Sequence, residues 1–334
     1  MLIDELIKDE KKNDRSLYSS GPYWNYKNSR AILEIKKKGI QDFRGLTAGI
    51  GTSFSDNEVL DIRNEYNTRG RIIGKIFSLP LLKTIFNSQL KITEGHIKSH
   101  LLNKSIVYKN DENVHNLLKK YKFENTTEFG CLSSFQYLNK DYSCHYLEMA
   151  DRIDKLSKLF NFGDIYSFFE IGGGFGANVH FLISNFPNIK KILYLDAVPN
   201  IYIGTQYLRR FYKHNIKDYL DLKNLDAISF SNNSELEILC IPPWLIEKVE
   251  VNIDHFHNAA SFVEMPKKIV ENYVKFIRKF KTKEISLVSY DRFDLNTTFN
   301  PEELNIFFNN DLKISWKNTL IEEYKRKLIY LTSK

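Results

Sequence analysis

FEIGGGFGANVHFL, residues 168–181, is the stretch that decides the fold. The apolar run Ile165 to Ile171 reads as a β-strand that stops at a glycine-dense turn. Beyond the turn, Val179, Leu182, Ile183 and Phe186 recur at helical spacing. Gly172, Gly173, Gly174 and Gly176 carry no Cβ, so the backbone can bend sharply and let a ligand approach. The free N–H groups and positive end of the following helix favour a carboxylate or phosphate. Twenty residues after Gly176, a second apolar strand, Ile192 to Leu195, ends in Asp196. A carboxylate there is placed to accept two ribose hydroxyls, at roughly 1.5–3 kcal/mol for each charge-assisted bond. The stretch therefore predicts a nucleoside-cofactor site on an α/β sheet.

Two cofactors fit this pattern. Gly172-x-Gly174-x-x-Ala177 followed by Asp196 satisfies the dinucleotide fingerprint of NAD folds. Three features favour S-adenosylmethionine (SAM). Glu170, at the strand end, supplies an acid for the cofactor's amino end. The turn Gly-Gly-Gly-Phe-Gly is compact, as suits a ligand without a pyrophosphate. About half of the chain precedes the unit, which leaves no substrate domain behind it. A glycine turn with no ligand is the plain alternative, but strand, helix and Asp196 all fall where a site needs them.

With 334 residues the chain can bury a substantial core as one large or two ordinary domains. Hydrophobic content of 43% and charged content of 27% are those of a soluble globular protein, and 24 Phe with 19 Tyr exclude a disordered one. The net charge of +7 is spread over short runs, Lys36 to Lys38, Arg278 to Lys283 and Lys325 to Lys327. Runs of this kind read as solvated helix ends in preference to a nucleic-acid patch. Cys131, Cys144 and Cys240 have neither disulfide nor zinc spacing. With a charged N-terminus and no apolar run near 18 residues, the expectation is a cytoplasmic protein without a membrane span.

Residues 1 to about 20 are polar and read as a frayed end or a short helix. GPYWNYKNSRAILEIKKKGIQDFRG, residues 21–45, gives a weakly amphipathic helix ended by Gly39. Tyr23, Trp24, Tyr26, Phe43 and Arg44 cluster around it. Such residues can form a stacking wall for a sugar or nucleoside, or simply cap the core. Residues 57 to 125 read as mainly helical, and residues 126 to 140 as a polar link. Residues 141 to 160 give an amphipathic helix with Leu147, Ala150, Ile153, Leu156 and Phe160 on one stripe. The division expected is a mainly helical N-terminal cap, residues 1–140, and a cofactor-binding domain, residues 141–334.

After Asp196, residues 201–213 read as a helix and ELEILCIPPW as a third strand ended by Pro242 and Pro243. IDHFHN, residues 253–258, is a fourth strand, and EISLVSYDR a fifth, with a helix over Lys267 to Phe280 between them. Ligands of doubly wound sheets lie beyond the carboxyl ends of the strands. That places Asn258, Ser261 and Glu264 near the cofactor's reactive end. Pro301 starts a further helix. LKISWKN and KLIYLTS close the chain with no helix between them, hence an antiparallel pair. Five β/α units and a final hairpin make a Rossmann-like, doubly wound, mostly parallel sheet of the class I methyltransferase type, which again favours SAM over NAD.

Four pieces carry a family resemblance: YW followed by GIQDFRG, FEIGGGFG, YLDAVPN with IYIGTQYL, and HNAASFVEM. Together they make residues 23–334 resemble the bacterial sugar O-methyltransferases found among surface-polysaccharide genes. HNAASFVEM is the specific element, similar to that family's Asn-x-x-Ser-x-x-Glu-Met pattern at Asn258, Ser261, Glu264 and Met265. The family's residue before the Asn is aliphatic, and here it is His257. The resemblance implies methyl transfer from SAM to a hydroxyl of a sugar or glycan precursor. A general base would contribute roughly 10²–10⁴-fold. Glu264 is the preferred base, His257 the alternative, and Asn258 would orient the acceptor or the methionine moiety. Tyr23, Trp24, Arg44 and Ser261 are the candidate acceptor contacts, and no metal is expected. A small-molecule or glycan substrate follows, with no nucleic-acid partner expected and self-association left open. The alternatives are a nucleic-acid methyltransferase, motivated by the basic balance, and a catalytically silent SAM-binding module. An NAD-dependent oxidoreductase ranks behind both.

Overall fold

A computed structural model of the chain describes residues 1–13, 15–41, 43, 108–129, 131, 134–290, 301–320 and 326–333. It divides into two compact units, residues 27–152 and residues 1–26 with 153–334. The expected helices within residues 57–90 lie outside the described residues.

The second unit in that division opens with three helices, α1 (Leu2–Glu10), α2 (Arg15–Tyr18) and α3 (Gly21–Lys38), the last of which runs on past residue 26. Leu2, Ile3 and Leu6 of α1 are buried. Lys223 Nζ binds Glu5 Oε2 at 2.6 Å, and Tyr219 Oη donates to Asp9 Oδ2 at 2.8 Å. The N-terminus is thus packed helix, held by an apolar stripe and charged anchors.

Within residues 27–152, α4 (Glu112–Lys120) is capped by Asp111, whose Oδ1 accepts from Asn113 N at 2.8 Å. A hairpin, β1 (Ser134–Tyr137) with β2 (Lys140–Ser143), leads into α5 (Cys144–Leu156). Among the described residues, Val114, Phe135, Cys144 and Leu147 form one buried apolar cluster of this unit. The hairpin stands where a polar link is expected from the sequence.

The large sheet begins with β3 (Ser167–Ile171), and α6 (Ala177–Asn185) leads to β4 (Lys191–Leu195). Then follow α7 (Asn200–Tyr212), β5 (Ile216–Lys217), α8 (Tyr219–Leu222) and β6 (Glu237–Ile241). β7 (His255–Ala259), α9 (Lys267–Lys279), β8 (Glu284–Tyr290), α10 (Pro301–Phe307), β9 (Leu312–Leu320) and β10 (Arg326–Ser333) complete it. The strand order is β5-β6-β4-β3-β7-β8-β10-β9, parallel except that β10 runs antiparallel to both β8 and β9. Strand order reverses at β3, and the chain closes in an antiparallel hairpin, so the sheet is doubly wound and Rossmann-like, as expected. The two-residue edge strand β5 is absent from the sequence reading.

β3, β4 and β6 are buried along their whole length, as expected of strands covered on both faces. Parallel register sets Glu170 beside His257 and Tyr194, with His257 beside Ser286, all on one face. Ile171, Asn258 and Leu287 share the other. Phe160 and Phe162 pack on His255 at 4.8 and 5.5 Å between ring centroids. On the opposite face Phe169 meets Phe280, and Phe256 meets Phe262.

Candidate functional site

At the carboxyl end of β3, Glu170 is buried and its Oε1 accepts from the Asn178 side chain at 2.8 Å. Gly172, Gly174 and Gly176 all take positive φ, at +75°, +62° and +86°, conformations that L side chains avoid. The loop has a second use for glycine. A Cβ at 172 would lie 2.2 Å from Ser261 Oγ, and one at 173 would lie 2.5 Å from Glu170 Oε2. One at 176 would lie 2.9 Å from Leu208 Cγ. At these three positions a side chain would meet the protein's own atoms.

Asp196, just past β4, is only 6% exposed. Its Oδ2 accepts from Gly174 N at 2.8 Å and its Oδ1 from Ala197 N at 2.7 Å, which ties the glycine bend to the end of β4. Burial pushes its carboxyl up to about 8, against the two backbone N–H groups and the Asn200 side chain, while the negative charge of Glu170 adds to the rise. The donors that oppose the rise are all neutral. Tyr194 Oη closes the arrangement from below by donating to Gly174 O at 2.5 Å. Burial, with the charge of Asp196 behind it, also pushes the phenol of Tyr273 on α9 upward.

The end of β7 supplies the adjoining wall. Asn258 Nδ2 donates to Ile171 O at 2.8 Å and to Ser261 Oγ at 2.6 Å, and its Oδ1 accepts from Phe262 N. Ser261 Oγ lies 3.2 Å from the same Ile171 carbonyl. Ala260 between them holds φ at +66°, an uncommon conformation for a non-glycine residue, and this turns Ser261 back under Gly172. Asn258 and Ser261 thus lock the β7 loop to the end of β3. Glu264, at the end of a single 3₁₀ turn (Phe262–Glu264), is half-buried and accepts Trp24 Nε1 at 2.6 Å on its Oε2.

His257 lies on the sheet face opposite Asn258 and is buried, with Nδ1 2.8 Å from Ser286 Oγ. Ser286 Oγ also meets His255 Nε2 at 2.7 Å, and burial lowers the pKa of His255 despite the neighbouring Glu284. Of the other residues picked from sequence, Tyr23 is in α3 next to Trp24. Its side chain, and all of Arg44, lie outside the described residues. Asn178, Tyr194, Asn200 and Tyr273 surround the site without having been picked. A polar Asn in the first turn of an otherwise apolar helix was the one available signal, at Asn178. Among the described residues there is no cluster of His, Cys, Asp and Glu fit to hold a metal ion, and no helix long and apolar enough to cross a membrane.

No protein-family model matches the chain, and no curated protein sequence does. Solved structures do. The pyocyanin biosynthetic protein PhzM is 10% identical over 57% of this chain and 58% of its own, with a TM-score of 0.37. Magnesium protoporphyrin IX methyltransferase from Synechocystis PCC 6803, solved with bound SAM, is 8% identical over 57% of this chain and 80% of its own, at 0.38. The N-terminal domain of EvdMO1 with bound SAH is 12% identical over 61% and 90%, also at 0.38. The chain thus spans less than two thirds of the length of PhzM.

Proposed function

We propose that this chain is a SAM-dependent methyltransferase whose acceptor is a hydroxyl of a sugar or surface-glycan precursor. The observation that carries the reading is the buried carboxylate of Asp196, raised to about 8 and opposed only by neutral donors, beside the acid of Glu170. A cationic ligand would favour the ionised form of both acids, whereas a pyrophosphate would disfavour it further. That favours SAM, which bears a sulfonium and an ammonium, over NAD. The residues fit SAM in kind: Asp196 would accept the ribose hydroxyls, Glu170 would face the amino end, and the main chain of 172–176 would lie along the ligand.

When bound, SAM supplies an electrophilic methyl group. The chain's own residues then have two tasks, to exclude water from the acids and to take a proton from the acceptor. Asp196 and Glu170 are already buried, at 6% and 2% exposure. For the proton, Glu264 is the better base. His257 is buried within β7, on the face it shares with Glu170, and spends Nδ1 on Ser286, while Glu264 stands on the loop beyond the strand ends. Asn258 and Ser261 set that loop against Ile171, and so act on the reaction through its position. The sugar acceptor rests on the motif HNAASFVEM alone, with Trp24, Tyr23 and Arg44 as its candidate contacts.

The test is calorimetry with S-adenosylhomocysteine and NAD, followed by labelled-methyl transfer to sugars and nucleotide sugars. Binding of the first ligand, with transfer to a hydroxyl, is expected. Binding of NAD in its place would end the proposal.

A further inference from the structure

Trp24 and Glu264 are 240 residues apart in sequence, and the indole Nε1 stands 2.6 Å from Oε2. An indole N–H donates and cannot accept, so this contact requires an oxygen with a lone pair turned toward the ring. The segment leading up to Trp24 is anchored at three points just ahead of it. Tyr18 Oη donates to Glu247 Oε1, and Lys268 Nζ reaches Ser16 Oγ at 3.1 Å. Gly21, at φ +85°, lies so close to the β7 loop that a Cβ there would meet Pro266 Cδ at 3.0 Å and Glu264 O at 3.5 Å. The start of α3 is therefore pressed against the residues that follow Glu264, and Trp24 arrives already oriented.

We propose that Trp24 is a positioning residue that holds the Glu264 carboxylate in one orientation and keeps it ionised for proton abstraction, a role that rests on reading Glu264 as the base. Its assignment thus moves from acceptor stacking to control of the base. The physical cause is simple. A donor that bonds the charged form of a carboxylate favours that form, and fixing one oxygen fixes the plane of the group. Among the described charges on the adjoining elements, Lys267 is paired with Glu303 at 2.8 Å, Lys268 with Ser16, and Glu247 with Tyr18.

Two measurements on the full chain test the role. In ¹⁵N-indole-labelled protein, the resonance that Trp24→Phe removes should move with pH through the carboxylate range, and should lose that movement in Glu264→Gln. In turnover, Trp24→Phe should lower kcat about tenfold and raise the acid limb of kcat/KM by about one pH unit, with the affinity for S-adenosylhomocysteine unchanged. Adding Glu264→Gln should then cost no more than Glu264→Gln alone. A resonance indifferent to both pH and Glu264→Gln in an active wild type overturns the positioning role by itself. So does a Trp24→Phe enzyme with the wild-type acid limb. If the resonance titrates but the wild type transfers methyl to no hydroxyl, the functional reading has failed, and the role of Trp24 falls with it.

Discussion

At the amino end of β6, Glu237 is buried and yet receives Lys191 Nζ at 3.0 Å, Lys217 Nζ at 2.6 Å and Ser231 N at 2.7 Å. Burial alone would raise its pKa, but these partners outweigh it and hold it below the usual carboxylate value. At the carboxyl end of neighbouring β4, Asp196 is as deeply buried. It has Gly174 N, Ala197 N and the Asn200 side chain, and its pKa goes the other way, to about 8. The difference lies in formal charge on the partners. One end of the sheet neutralises its acid with ammonium groups and is structurally complete. The other gives its acid only dipoles, so the ionised form is disfavoured until something else supplies positive charge.

Breaking the neutralised end should have the largest effect. Glu237→Ala strands Lys191, whose side chain is 4% exposed, and should cost about 3–5 kcal/mol in urea unfolding. A loss within the error of the fit would mean that the pair is not the source of order at that end. At the other end, Asp196→Ala should weaken S-adenosylhomocysteine binding about 100-fold by calorimetry, or about 2.7 kcal/mol, while the protein stays folded. An unchanged affinity would remove the ribose role.

The same contrast has a pH signature. An acid whose folded pKa lies at about 8, above its unfolded value of 3.8, binds protons more tightly when folded. Asp196 therefore costs stability as pH rises from the unfolded value through the folded one. Without ligand, Asp196→Asn should stabilise the protein at pH 9 and do little at pH 4. In the wild type, if the ribose needs the ionised form, affinity should fall roughly tenfold per unit below about pH 8. That slope should vanish in Asp196→Asn.

Gly172→Ala meets both a positive φ and Ser261 Oγ at 2.2 Å, whereas Gly39→Ala meets only its φ of +74° with nothing within 4 Å. Thermal unfolding should show Gly172→Ala costing about 2–3 kcal/mol and Gly39→Ala about 1. The smallest effect belongs to Lys283→Ala. Asp254 keeps the main-chain N–H groups of Tyr166 and Ser167 and the Ser167 hydroxyl, so its melting temperature should match the wild type. A large drop there would show that the ammonium, and not the neutral donors, holds that acid.

The sequence was most legible where one residue type has one physical use. The buried strands β3, β4 and β6 stand out as apolar runs, and β9 and β10 can only be antiparallel because nothing separates them. Asp196 was visible from its spacing after the glycine bend. The β1–β2 hairpin was hidden because its turn places Leu138 and Asn139 at φ +47° and +60° without the glycine that normally marks such a turn. The packing of α1 was hidden too, since three apolar residues among charges look like a loose end until Lys223 and Tyr219 are known to face Glu5 and Asp9.

By itself the sequence determined the mostly parallel strands and the closing hairpin, the bend at 172–176 and the acid that follows it, because periodicity and glycine content act over a few residues. Only the tertiary structure decided which atoms stand beside those glycines, that Asn258 and Ser261 tie down a loop, that His257 is buried against Ser286, and that Trp24 reaches Glu264. Each of these depends on which groups long-range packing brings within hydrogen-bonding distance and out of water, and no local pattern encodes that.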